Sequence, residues 1–258
     1  MRIGIVTLFP EMFAGVLGHS ILGRAIVNRH LEISLVALRD FARDRHRTVD
    51  DAPFGGGPGM VIKADVLERA LCSMEGWDAA HVVCLSPQGG RFCQADAIRL
   101  SGVNHLILLC GHYEGIDERF VTRYVDEEVS LGDFVLTGGE IAAMAVVDAV
   151  ARLVPGVLGD AESFRNDSFF TGMLDHPHYT RPAAWHVAGG DEVVRVPEVL
   201  LSGNHGAIEG WRRRQAWLRT WLRRPDLLTE ARLTREERRL LLALKEDMDR
   251  ASPEDETT

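Results

Sequence analysis

The feature that most restricts this chain is a repeated pairing of a short apolar run with glycines directly behind it. His81–Leu85 runs into Ser86-Pro87-Gln88-Gly89-Gly90, and His105–Cys110 runs into Gly111-His112-Tyr113-Glu114-Gly115. Glu128–Leu131 runs into Gly132-Asp133-Phe134-Val135-Leu136-Thr137-Gly138-Gly139-Glu140. Continuous apolar runs of this length suit strands buried on both faces, as in a parallel sheet covered by helices. Ile3–Phe9 and Leu31–Leu38 are further strand candidates. Residues 64–74 put Val66, Leu67, Ala70, Leu71 and Met74 on one helical face, and Gln94–Leu100 reads as a crossover helix. Glu140–Leu153, apolar almost all round, reads as a buried helix. The alternation predicts an α/β domain with a largely parallel sheet.

Ligands of open parallel sheets bind outside the carboxyl ends of the strands, and glycine lets backbone approach a ligand closely. Three glycine loops at neighbouring strand ends would surround one small molecule with backbone N–H and C=O groups, which suit the edge of an adenine. Each loop alone reads more readily as a turn; their coincidence carries the functional reading. None matches G-x-G-x-x-G, and Gly55-Gly56-Gly57-Pro58-Gly59-Met60 lacks the Gly-Lys-Ser/Thr ending of a phosphate-binding loop. A conventional dinucleotide fold and ATP hydrolysis are therefore unsupported.

With 258 residues, 46% of them hydrophobic, the chain can bury a substantial core. No apolar run is long enough to span a bilayer, and Met1–Pro10 lacks the basic flank and cleavage site of a signal peptide. A cytosolic protein is expected. Cys72, Cys84, Cys93 and Cys110 form no C-x-x-C pair; three sit in apolar contexts, so reduced core cysteines are expected.

The formal net charge of -9 argues against a nucleic-acid partner, but the charge is unevenly spread. Residues 211–224 hold Arg212, Arg213, Arg214, Arg219, Arg223 and Arg224 and no acid. A second cluster sets Arg39, Arg43, Arg45, His46 and Arg47 against Asp40 and Asp44. Either cluster alone reads equally as a solvated face.

The pattern changes after Leu153. Residues 160–183 mix polar, proline and aromatic residues without a period, which is long for an idle loop and suggests a functional linker. From Pro197 the chain reads as helical. Gly203 is placed to end one short helix and Asn204 to cap the next, whose apolar face would be Trp211, Trp217, Leu218, Trp221 and Leu222. Thr234 and Glu237 form a capping-box pattern, and a disordered tail is expected over 250–258.

With these motifs the sequence resembles the bacterial tRNA (guanine-N1)-methyltransferases, which modify the guanosine at tRNA position 37. The matching stretches include His46-Arg47-Thr48-Val49-Asp50-Asp51, Phe54–Met60, Leu85–Gly89 and Cys110–Asp117. Gly132–Glu140, Pro155–Gly159 and Leu174-Asp175-His176-Pro177-His178-Tyr179-Thr180-Arg181-Pro182 complete the set. They run from about Ile3 to Leu222. The resemblance implies a SPOUT-type parallel-sheet α/β domain over 1–159 with a deep C-terminal trefoil knot. It also implies a linker over 160–183 that carries a catalytic residue, and a small all-helical tRNA-binding domain over 184–249. A homodimer with active sites shared between subunits is implied as well. S-adenosylmethionine would lie against Leu85, Ser86, Pro87, Gly111, Tyr113, Glu114, Ser130, Leu131, Gly132, Asp133, Phe134, Val135, Leu136, Gly138 and Gly139. Many relatives have tyrosine at Phe134, an acid at Asn166 and an aromatic residue at Cys84.

Methylating guanine N1 requires a base for the N1 proton and a cation or donor for the charge that builds toward O6. The residues alone read Asp167, in Asp167-Ser168-Phe169-Phe170, as a helix cap; the resemblance makes it the general base and gives Arg152 the charge at O6. Glu114 is a candidate for the donor's charged methionine end, for a magnesium ion, or for a plain loop acid. Asp175, His176 and His178 have metal-like spacing, though a structural linker fits them better. For RNA the candidates are His46, Asp50, Arg212, Arg213 and Arg214. A methyltransferase of the same class acting on another RNA position or a ribose 2′-oxygen is the alternative, as is a non-catalytic RNA-binding module.

Overall fold

A computed structural model describes residues 1–159, 164, 167–228, 235, 238, 239, 242 and 243. The chain divides into two compact units, with the boundary between Phe164 and Arg165.

The first unit opens with strand β1 (Arg2–Thr7), helices α1 (Ala14–Leu17) and α2 (Ser20–Val27), and strand β2 (Glu32–Ala37). A short ladder joins β3 (Asp50–Asp51) to β4 (Val61–Ile62), and helix α3 (Ala64–Cys72) follows. Then come β5 (His81–Arg91), α4 (Gln94–Ser101), β6 (His105–Cys110), α5 (Glu118–Tyr124), β7 (Glu127–Ser130) and α6 (Glu140–Ala151). The main sheet has the order β2-β1-β6-β5-β7, every neighbouring pair parallel. The expected α/β architecture with a parallel sheet is the observed one.

Side chains alternate along each strand and so build two cores, one per face. Ile3, Ile5, Val83, Leu106 and Leu108 face a core completed by Ala143, Val146, Val147 and Val150 of α6. Val6, Val82, Ile107 and Leu109 face the other, with Val66, Leu67, Ala70 and Leu71 of α3 and Phe120 of α5. β6 is buried at every position, which explains why its six residues read as one continuous apolar run.

β5 departs from the expectation of a strand ending at Leu85. It continues to Arg91, but its ladder with β7 breaks: Leu85 and Gly90 both pair with Val129. Ser86–Gly89 is thus a wide bulge, not a terminal loop. Its shape depends on Gly89, where a Cβ would stand 2.4 Å from the backbone C of Glu128 and the N of Val129. Two of the cysteines also depart from expectation: Cys84 and Cys110 are buried, whereas Cys72 and Cys93 are exposed. Cys93 precedes α4, where its thiol and backbone N–H both bond Asp96 as a capping box.

The second unit contains strands β8 (Ala184–His186) and β9 (Val193–Arg195), then helices α7 (Glu198–Leu201) and α8 (His205–Arg223). The expectation of an all-helical domain is corrected here, because β8 and β9 form an antiparallel hairpin. Val193 and Val194 favour extended backbone, and Gly189, at φ +87, supplies a left-handed position in the connection. Residues 167–183, expected to be linker, belong to this unit: Leu174 N–H donates to Thr220 Oγ1 at 2.9 Å, and Tyr179 meets the Trp211 ring at 6.1 Å. Gly203 (φ +70) separates α7 from α8, and the Asn204 side chain accepts from Ala207 N–H, as expected of an N-cap. Trp217 and Thr220 form the buried face of α8, while Leu222 is exposed rather than buried as expected. Asn166, the Thr234–Glu237 pattern and the tail over 250–258 lie outside the described residues.

Candidate functional site

The carboxyl ends of β5, β6 and β7 open on one cavity, enclosing about 960 Å³ with its mouth included. Leu85, Ser86 and Pro87 line it from the β5 bulge, and Gly111, Tyr113 and Glu114 from the loop after β6. Ser130, Leu131, Phe134, Val135, Leu136, Gly138 and Gly139 line it from the segment between β7 and α6. Two of the sequence candidates, Gly132 and Asp133, lie outside the lining. Asp133 instead pairs with Arg91 at 2.7 Å, and Gly132 turns the chain with its N–H and C=O both bonded to Ser130 Oγ.

The loops are held together by backbone. Gly139 N–H donates to Gly111 C=O at 2.9 Å, and His112 and Gly138 form an antiparallel bridge. Glu114 N–H donates to Met60 C=O at 3.0 Å, and Ile62 N–H to Gly115 C=O at 3.0 Å. The glycine run at 55–59 therefore bears on the cavity loop. At Gly59 (φ +84) a Cβ would stand 2.2 Å from Glu114 Oε1, so this glycine leaves the carboxylate its place.

Sequence reasoning missed Glu118 and Val121 of α5 and Glu128 of β7, which also line the cavity. None lies in a glycine loop: Glu118 and Val121 come in on α5, and Glu128 on the edge strand β7. With Glu114 they give the cavity three carboxylates, and no lysine or arginine is among its described lining residues. Cys84 contributes an inert wall: burial, with Glu128 and Glu118 nearby, pushes its thiol up to about 12.

Arg152 follows α6 in the first unit and is half-buried. In the second unit, Asp167, Asp175, His176, Glu209, Arg212 and Arg213 line a separate cleft. No helix begins at Ser168: residues 168–170 make a turn, so the helix-cap reading of Asp167 is corrected. Asp175 is bonded to both histidines, at 2.6 Å to His176 Nδ1 and 2.8 Å to His178 Nε2, and its N–H donates to Ser168 Oγ. Burial works against the Asp175 carboxylate, yet the His178 hydrogen bond and the His176 N–H hold it below the usual carboxylate range. Burial also holds His176 below the usual imidazole range, with His178 and Arg212 adding to it against Asp175. The ligand atoms of the three lie within 4.8 Å of one another, and the carboxylate is already satisfied by its neighbours.

Arg212, Arg213 and Arg214 project from the exposed side of α8. His46 is exposed in a loop shaped by Asp44, which accepts from the N–H groups of His46 and Thr48. Asp50 is half-buried in β3. Among the described residues, no helix is long and apolar enough to cross a membrane.

A parallel α/β sheet with a cavity at its strand ends, lined by carboxylates and without lysine or arginine among its described lining residues, suits a small ligand that is not strongly anionic. Residues 1–230 match the family described as tRNA (Guanine-1)-methyltransferase TrmD. A tRNA (guanine-N(1)-)-methyltransferase of Magnetococcus marinus is 64% identical over 249 residues, covering 96% of this chain and 98% of the relative. One from Moorella thermoacetica is 52% identical over 93% of this chain and 95% of its own, and one from Desulforudis audaxviator 54% identical over 95% and 96%. The chain belongs to the tRNA (guanine-1)-methyltransferase family.

Proposed function

We propose that this enzyme transfers the methyl group of S-adenosylmethionine to N1 of the guanosine at position 37 of tRNA. The observation that carries the donor assignment is the charge of the cavity. Three carboxylates without a lysine or arginine suit a sulfonium cation with an ammonium group and repel a phosphate-bearing cofactor. The backbone amides and carbonyls of the β5 bulge and the loops after β6 and β7 suit the adenine edge.

In this reading Asp167 takes the N1 proton, and the freed lone pair of N1 attacks the methyl carbon. The carbon–sulfur bond breaks with its electron pair going to sulfur, leaving S-adenosylhomocysteine and 1-methylguanosine. Arg152 offsets the negative charge that builds at O6. Gly132 and Asp133 shape the donor loop through Ser130 and Arg91. Glu114 is the residue that would hold a magnesium ion, which would supply positive charge beside the reacting groups. Arg212, Arg213 and Arg214 meet tRNA phosphates, with His46 and Asp50 nearer the anticodon.

The backbone pairing of Gly111 with Gly139 and of His112 with Gly138 fits the trefoil knot that the family resemblance implies. Exposed Met12 and Ile141, which line a small apolar cleft with Phe9, support a homodimer that completes its active sites across the subunits.

The test is methyl transfer from labelled donor to two tRNA transcripts, one with guanosine and one with adenosine at position 37. Label should appear as 1-methylguanosine in the first alone. Asp167→Asn should bind donor and tRNA yet lose turnover by about a hundredfold or more. Label at another nucleoside would overturn the target, and near-normal turnover by Asp167→Asn would remove it as the base.

A further inference from the structure

Beside the cavity, one buried carboxylate joins three separate elements. Glu140, the first residue of α6, is 1% exposed. Its Oε1 accepts from Thr7 Oγ1 at 2.6 Å, where β1 ends, and its Oε2 lies 2.7 Å from His112 Nε2 in the loop after β6. Thr7 Oγ1 in turn accepts Phe9 N–H at 3.0 Å. A carboxylate withdrawn from water is costly unless it is hydrogen-bonded, and the first turn of a helix favours its negative charge. Glu140 meets both conditions, so its position is defined by the two groups that donate to it.

His112 is held as firmly as its partner. Its ring stands edge-on to Phe9 at 5.2 Å, and its backbone bridges Gly138. A Cβ on Gly138 would stand 2.2 Å from His112 Cε1, so the ring fills the space that this glycine leaves. Next to it, Tyr113 sits at φ +59, a left-handed conformation that costs a non-glycine residue and persists only where its surroundings impose it. Gly111, His112 and Tyr113 all line the cavity.

We propose that Glu140 and His112 are positioning residues for the methyl donor: their contact fixes the Gly111–Gly115 loop, including the strained Tyr113, in its ligand-binding shape. The proposal rests on the reading of this cavity as the donor site. The pair acts through the loop and not on the methyl group itself, so its effect falls on donor affinity.

The experiment is calorimetric titration of the full-length protein with S-adenosylhomocysteine, together with steady-state kinetics in both substrates. His112→Ala should raise the donor Kd and KM by about tenfold, as for loss of one hydrogen bond to a charged group, and Glu140→Ala, which loses two, by at least as much, with the KM for tRNA unchanged. Glu140→Gln should come back to within about threefold of the unaltered protein, because its amide can accept from Thr7 and donate to an unprotonated His112 Nε2. Should Glu140→Ala fail to fold, His112→Ala and Glu140→Gln still decide the matter. A folded His112→Ala with unchanged donor Kd would overturn the proposal, as would an equal rise in both KM values. Absence of binding by the unaltered protein would bring down the donor-site reading itself, which separates the two failures.

Discussion

Gly139→Ala probes a close backbone contact beneath the cavity. Gly139 has φ −76, open to any residue, so alanine brings no backbone strain and the effect is purely steric. The new Cβ would stand 2.7 Å from Cys110 Cα, 3.0 Å from Gly111 N and 3.1 Å from Cys110 Cβ. Carbon atoms in contact prefer about 3.5–4.0 Å, so the backbones must part by roughly 0.8 Å. Cys110 ends β6, which is hydrogen-bonded to β1 on one side and β5 on the other, and it cannot withdraw. Overpacking of this kind costs about 2–3 kcal/mol. For a unit of this size that lowers the melting temperature by about 5–10 °C. The same displacement pulls α6 from the loop after β6, so donor affinity should fall by about tenfold. Gly90→Ala is the control: nothing lies within 4 Å of its Cβ, and its effect should stay within about 0.5 kcal/mol. Melting followed by circular dichroism, with donor titration on the same samples, reads both effects. Gly139→Ala melting together with Gly90→Ala would refute the steric argument.

The remaining expectations concern charge. Glu127 bonds Arg99 through both oxygens, at 3.0 and 2.8 Å, and His81 at 2.7 Å; burial opposes its ionisation, but these partners hold its carboxyl below the usual range. A depressed carboxyl stabilises the fold above its unfolded value and loses that contribution as pH falls through the folded one. Glu127→Gln should therefore cost about 1 kcal/mol at pH 7, discounted because solvent reaches Arg99 (48% exposed), and the gap should close below about pH 4.3. Urea melts at several pH values decide it, and a gap that widens in acid would contradict the assignment. Reversing the charge of Arg212, Arg213 and Arg214 together should weaken tRNA binding and flatten its log–log salt dependence by about 2, near 0.7–0.9 per phosphate contact. An unchanged slope would show that α8 is not the docking face.

What could be read in advance follows from how local each feature is. β6 was legible to the residue because burial on both faces leaves an uninterrupted apolar run, and α6 because its buried positions surround the helix. The β5 bulge was not, because Gly89 reads as a turn until the backbone of β7 is seen pressed against it. β8 and β9 have three residues each, too short to show a period, and they precede Pro197, where the helical pattern begins. In the cavity, loop residues announced themselves through glycine, whereas Glu118, Val121 and Glu128 contribute through a helix face and a strand edge. The Glu140–His112 contact spans 28 residues and the Glu140–Thr7 contact 133, separations that no spacing rule reaches.

Part of the cavity wall is bare main chain, at the glycines 111, 115, 138 and 139. Amides are common to every amino acid, so point substitution has little there to vary. A side chain at 138 or 139 fills space that His112 and Cys110 already occupy. Such a surface is easily destroyed by mutation and hard to retune by it. Graded changes in what the cavity prefers must come through its lining side chains, among them Tyr113, Glu114, Glu118 and Glu128. A competitive inhibitor that contacts only the amides would leave this chain few routes to resistance.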